Sequence, residues 1–313
     1  MIASIVLSAV FGLILLGAVA ALVRRRRVSR SGQARTAPPV ATRKALETVA
    51  LGLSVLAAGR TREGRPLPEA HVLVHSGQRL TLRLAGADAH PPTPWTADVS
   101  EKEWWVQTAL LRRTGKGSDG PTHPYSLTVT LGLHGGERVL VDLSRLRGPI
   151  ALTGDDDDVL RLAQALISEV VSGPVGTLAT VVLVGSAATP SVTDGLSARS
   201  ARLHTAVTRG EALAVGENKS SAGGHGASAL QTLLLGGDSG AAGAGTHARR
   251  LFVVTAAQYR NERWGDTPLR GTDALLVLGY IPALEWNFQV RADGSLNTGR
   301  LGVLIDTHAA LLA

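Results

Sequence analysis

Hydrophobic and polar residues follow two rhythms along this chain, and its first segment has no rhythm at all. Met1 to Val23 contains no charged side chain, and the run ends on Arg24, Arg25, Arg26 and Arg27. At 1.5 Å per residue a helix of that length reaches roughly 34 Å, enough to cross a hydrocarbon core of ~30 Å. The segment therefore predicts a transmembrane helix. A cleaved signal peptide is the competing reading, because Ala18-Val19-Ala20 offers a small-residue site, but such peptides carry their charge before the apolar run. The positive-inside rule keeps the four arginines in the cytoplasm and sends the N-terminus outward. The expectation is a single-pass protein of the cell membrane with a cytoplasmic body.

Beyond a tether rich in Ser, Gly, Gln and Pro (residues 28–42), helical spacing sets in. Leu46, Val49, Ala50, Leu53 and Leu56 share one face between Lys44 and Ala58, and Gly59 stops the run. Two β-type runs follow, His71–His75 and Arg79–Ala85, joined by the turn Ser76-Gly77-Gln78. A Pro-rich stretch then leads to Trp95, Trp104 and Trp105. Large rings bury much area, so they are expected to cover the edge of a small sheet; a partner-binding surface is the sharper alternative. Residues 113–124 read as a loop.

The second half changes rhythm. Tyr125–Leu133 and Glu137–Leu143 alternate around His134-Gly135-Gly136, a second hairpin. Pro149–Thr153 reads as a strand and Asp155–Val171 as an amphipathic helix. The fully apolar runs at 177–184, 251–256 and 274–280 fit strands covered on both faces. Leu196–Val215 reads as a helix, and Gly216–His247, rich in Gly, Ala and Ser, as a flexible segment. Glu285–Val290 and Leu301–Ile305 close the chain around Ala292-Asp293-Gly294-Ser295. The predicted fold is α/β: a transmembrane helix (1–23), a basic juxtamembrane linker (24–44), a small β-rich α+β subdomain (45–112), then a mostly parallel sheet with helices on both faces (125–313).

Charge refines this picture. The net charge of +7 comes from the juxtamembrane region: residues 1–44 hold eight basic side chains and no acidic one, leaving 24 basic against 25 acidic in the rest. The arginine cluster suits anionic headgroups, at about 1 kcal/mol per residue near a membrane surface. A near-neutral body disfavours nucleic acid as a partner. There is no cysteine, which excludes disulfides, thiolate nucleophiles and Cys-based zinc sites.

In such a fold the first strand-to-helix turn is where phosphate binds. Here it reads Thr153-Gly154-Asp155-Asp156-Asp157-Asp158-Val159-Leu160-Arg161. A P-loop needs GxxxxGK[ST]. Gly154 matches the first glycine, but Val159, Leu160 and Arg161 replace Gly, Lys and Ser/Thr, and four carboxylates would repel a triphosphate. Asp155–Asp158 are expected to cap the helix; a divalent-cation site is the alternative. No cofactor is expected. Ser186 lacks the second glycine of a GxSxG elbow, His71 and His75 lie in a predicted strand without an HExxH motif, and no catalytic set emerges.

The run from Tyr125 to Ile167 resembles the segment that leads into the motor domain of FtsK/SpoIIIE-type DNA translocases, where an "LGxxxxGxPVxxDL" hairpin precedes the Walker A strand; the likeness stops at Gly154. Over roughly residues 45–313 the chain resembles the central module of membrane-anchored actinobacterial regulators with a LysM domain and a bacterial transcriptional activator domain. The shared pattern includes Gly64-Arg65-Pro66-Leu67-Pro68, the Pro-Pro-x-Pro-Trp stretch, Leu-Thr-Gly-Asp before a helix, and Trp286 to Gly294. The resemblance implies a degenerate, FtsK-like P-loop domain in a regulator. Read together, these features point to a non-catalytic interaction, scaffold or regulatory protein with an unknown protein partner. An active NTPase or DNA translocase and a DNA-binding regulator are the alternatives.

Overall fold

The computed structural model describes residues 39–114, 125–193, 200–216 and 249–312, within a unit that starts at Pro38. The expected transmembrane helix, the four arginines and nearly all of the 216–247 segment lie outside these residues. Among the described residues, no helix is long and apolar enough to cross a membrane.

Helix α1 (Pro39–Arg62) starts and ends beyond the predicted helix. Strands β1 (Ala70–His75) and β2 (Arg79–Leu84) form the expected hairpin, followed by β3 (Thr96–Ala97), β4 (Glu103–Gln107) and helix α2 (Thr108–Thr114). The hairpin β5 (Thr128–His134) and β6 (Glu137–Asp142) does not stay with the later strands. β6 pairs with β1, which extends the first sheet. β15 (Thr307–His308), at the end of the described chain, pairs with β5 and completes a seven-stranded sheet in the order β15-β5-β6-β1-β2-β4-β3.

The second sheet holds β7 (Pro149–Thr153), β8 (Ala179–Val184), β9 (Leu203–Ala206), β10 (Arg249–Thr255), β11 (Ala274–Leu278), β12 (Trp286–Val290), β13 (Leu296–Asn297) and β14 (Leu304–Ile305). Its order is β14-β13-β12-β7-β11-β10-β8-β9. The six strands from β12 to β9 are parallel, and β13 and β14 join antiparallel. The architecture is thus mixed α/β with two large sheets, one of them mostly parallel.

Helix α3 (Asp156–Ser172) is the layer between the sheets. Leu162, Leu166 and Ile167 share one core with Val129, Val139 and Val141 of the first sheet and with Leu152, Val181, Val253 and Leu276 of the second. Helix α1 covers the other face of the first sheet, packing Leu46, Val49, Leu53 and Leu56 on Leu73, Leu80, Leu82 and Trp104. Trp95 joins this core, whereas Trp105 lies half-buried on the opposite face of its strand, with Arg79 4.4 Å from its ring centroid. The far face of the second sheet is packed by Trp264 and Ala212 against Phe252, Val254 and Val277.

One element is corrected. Leu196–Val215 is not a single helix: after the short α4 (Pro190–Thr193), Leu203–Ala206 forms β9 beside β8, and only Arg209–Ala214 is helical, as α5. Thr208 explains the break. Its extended backbone ends the strand, and its hydroxyl accepts from Glu211 N at 3.4 Å, so the helix starts there and not earlier. Helix α6 (Ala256–Asn261) follows β10 directly, with Thr255 as its cap.

Candidate functional site

In open α/β sheets a ligand crevice opens at the carboxyl ends of adjacent strands whose connections leave in opposite directions. Strands β7 and β12 are such a pair: the chain leaves β7 toward β8 on one side and β12 toward β13 on the other. The turn singled out by its sequence, Gly154–Asp158, sits at this position.

At its base the backbones of β7 and β12 run in close contact. Gly154 has φ +142°, and a Cβ there would lie 2.6 Å from Val290 O, so the glycine packs directly against the end of β12. Beside it Thr153 Oγ1 donates to Asn287 Oδ1 at 2.8 Å, tying β7 to the same neighbour. The connection itself is two residues long, Gly154 and Asp155, because α3 begins at Asp156. Asp155 is the N-cap: its side chain accepts from Asp157 N at 3.1 Å. Asp156, Asp157 and Asp158 form the first helical turn, where carboxylates face the positive end of the macrodipole. Asp158 is paired with Arg161, whose guanidinium it holds above the usual range through a hydrogen bond and its charge.

The three positions where a P-loop would place Gly, Lys and Ser/Thr thus lie inside α3. Val159 is in the core, Leu160 packs against it and Arg161 faces its carboxylate partner. No group of three or more His, Asp or Glu among the described residues could hold a metal ion. Ser186 is exposed at the end of β8 and shares a hydrogen bond with Thr255 Oγ1 at 2.9 Å. No family model, curated protein or solved structure matches the chain.

A second polar locus, which sequence reading missed, lies at the other end of α3. Glu169 reaches past its own helix to β5, where its Oε1 accepts from both Thr130 N at 3.0 Å and Thr130 Oγ1 at 3.1 Å. β15 pairs with β5 only at Gly132 and Leu133, so at Thr130 the carboxylate serves an N–H that no strand takes up. Arg138 of β6 donates from Nη1 to the same Thr130 hydroxyl at 3.2 Å and from Nη2 to Thr42 Oγ1 of α1 at 3.3 Å. Burial pushes the Glu169 carboxyl up to about 7, against the opposing pull of its Thr130 hydrogen bonds and the Arg138 charge. His75, opposite Arg138 in the β1–β6 ladder, is held down at about 4 by burial and by the Arg138 and Arg112 guanidiniums. Arg138 is a polar residue within an alternating strand, and Glu169 lies between apolar residues of an amphipathic helix. The usable signal was that alternation assigns Arg138 the face of Leu140, which is buried.

Proposed function

We propose that this chain is a membrane-anchored, non-catalytic interaction protein, a scaffold or regulator, whose body is a degenerate FtsK-like P-loop domain facing the cytoplasm. One observation carries the non-catalytic part: the β7–α3 connection has two residues, and the glycine among them is packed against Val290. A phosphate cradle needs a longer loop of backbone N–H groups with a lysine at its end. Here the connection is two residues long and the helix start carries Asp156, Asp157 and Asp158 in place of a lysine. The FtsK-like part rests on the order hairpin, strand, helix, found here as β5–β6, β7 and α3, with β7 inside a parallel sheet.

Anchoring rests on the apolar run 1–23 and on Arg24–Arg27, whose charge suits anionic lipid headgroups. The partner is a protein, and neither nucleic acid nor a cofactor takes part. An ATP hydrolysis assay on the full chain with Mg²⁺, with and without duplex DNA, tests this reading. The expected result is no turnover above a protein-free control. Hydrolysis stimulated by DNA would return the chain to the translocase class.

A further inference from the structure

We propose that the cavity between α1, the β5–β6 hairpin and the C-terminal end of α3 binds a small amphipathic monocarboxylate, with Arg138 holding its head group. The cavity measures about 400 Å³, within the size range of ligand pockets. Leu46, Ala165, Pro174, Ala309 and Leu312 make its wall largely aliphatic. Four of its polar groups, Thr42, Thr130, Arg138 and Glu169, are joined by hydrogen bonds, and Ser168 and Ser172 also line it.

Arg138 is what asks for an anion. It is only 6 % exposed, and the two hydrogen bonds its guanidinium makes go to the neutral hydroxyls of Thr130 and Thr42. Its nearest carboxylate, Glu169, acts on it through charge and the shared Thr130 hydroxyl without a direct hydrogen bond. When Glu169 is protonated the buried cation is left without a counterion, which is costly, and a carboxylate matches the guanidinium fork in charge and in geometry. Two features work against an anion. The last turn of α3, Ser168 to Gly173, brings the negative end of the helix dipole to the cavity, and Glu169 adds a full charge when ionised. A bound carboxylate is therefore favoured when Glu169 is protonated, and binding takes up a proton.

Other charged groups also stand near Arg138. Arg43 of α1 lines the cavity and pairs with Glu47 at 3.3 Å. His75 on β1 stays neutral above about pH 4, with the Arg112 guanidinium of α2 among the charges that hold it down. β5 contributes Thr130, and the C-terminal turn contributes Ala309 and Leu312.

Calorimetry of the purified full chain with octanoate at pH 6 and pH 8 tests the proposal, with octylamine and inorganic phosphate as controls for charge sign and for the apolar body. Octanoate is expected to bind about tenfold more tightly at pH 6, as one-proton linkage to a group near 7 requires. Glu169→Gln should bind equally at both pH values, and Arg138→Gln should lose at least tenfold. Ala165→Phe fills the wall while keeping both charged side chains and should abolish binding, which keeps the test decisive if Arg138→Gln does not fold. Absence of octanoate binding at pH 6, undiminished binding by Ala165→Phe, or equal binding of octylamine or phosphate would each overturn it.

Discussion

The two ends of helix α3 both gather charge, and they handle it in opposite ways. At the N-terminal end four consecutive aspartates lie near solvent, next to the positive end of the dipole, with partners from their own turn: Asp157 N for Asp155 and Arg161 for Asp158. At the C-terminal end one glutamate is placed against the negative end of the dipole and among groups from β5, β6 and α1. The first arrangement is local and electrostatically favourable as it stands. The second needs either a proton on Glu169 or the nearby Arg138, and it links elements 39 residues apart and more. A conspicuous acidic run is thus a helix start, while an inconspicuous Arg and Glu make the polar centre.

The largest effect that would break this contrast is at Gly154. Gly154→Ala combines an unfavourable positive φ with a contact to Val290 O that a Cβ cannot make. A loss of about 2–4 kcal/mol is expected in denaturant unfolding. A neutral substitution would mean that the turn has room, and would reopen the phosphate question.

Next in size is the pH response of the opposite end. Glu169 has its folded pKa raised from 4.5 to about 7, so the folded state binds more protons. Its stabilising contribution is complete below about pH 4.5 and is lost as pH rises to 7, by up to about 3 kcal/mol. His75 has the opposite sign. Its folded pKa is lowered from 6.5 to about 4, so its contribution is present above pH 6.5 and is lost as pH falls toward 4. The two slopes offset each other between about pH 4.5 and 6.5 in the wild type. Unfolding of His75→Gln should show stability falling with pH across this window, and Glu169→Gln should show it rising; parallel profiles for the two variants would contradict the assignment.

Smaller effects are expected at the acidic end. Asp155→Ala removes the N-cap bond and should lower stability by about 1 kcal/mol, whereas Asp155→Asn should be close to neutral. Asp156→Asn with Asp157→Asn removes only favourable dipole contacts, worth about 0.3–1 kcal/mol each and screened by salt. Thermal melts at low and high ionic strength separate these effects, and a loss that survives high salt would point to a role beyond the dipole.

Much of the fold was legible because its elements are built locally. Alternation and tight turns mark β1–β2 and β5–β6, and the apolar runs mark β8, β10 and β11. Pairing between distant segments was not legible. The β5–β6 hairpin looks like the start of the second domain, yet Val139, Leu140 and Val141 pair with β1, about 65 residues earlier in the chain. Leu203–Ala206 reads as helix among its Ala, Leu and Arg neighbours, but a place beside β8 and the cap at Thr208 outweigh that propensity. The closed turn could be read in part, since Val159, Leu160 and Arg161 already broke the motif. The contact between Gly154 and Val290, 136 positions apart, could not. The Arg138–Glu169 locus left almost no local trace, because each residue is ordinary in its own element and only the packing of α3 between two sheets brings them together.

Nucleotide binding decides most directly whether the turn after β7 is closed. Titration of the purified full chain with ATP and Mg²⁺ by calorimetry should give no binding heat up to millimolar nucleotide, and the Asp156→Asn, Asp157→Asn double variant should behave the same. A micromolar Kd in the wild type would contradict the closed turn, and tighter binding by the double variant would show that the carboxylates, not the backbone, had kept phosphate out.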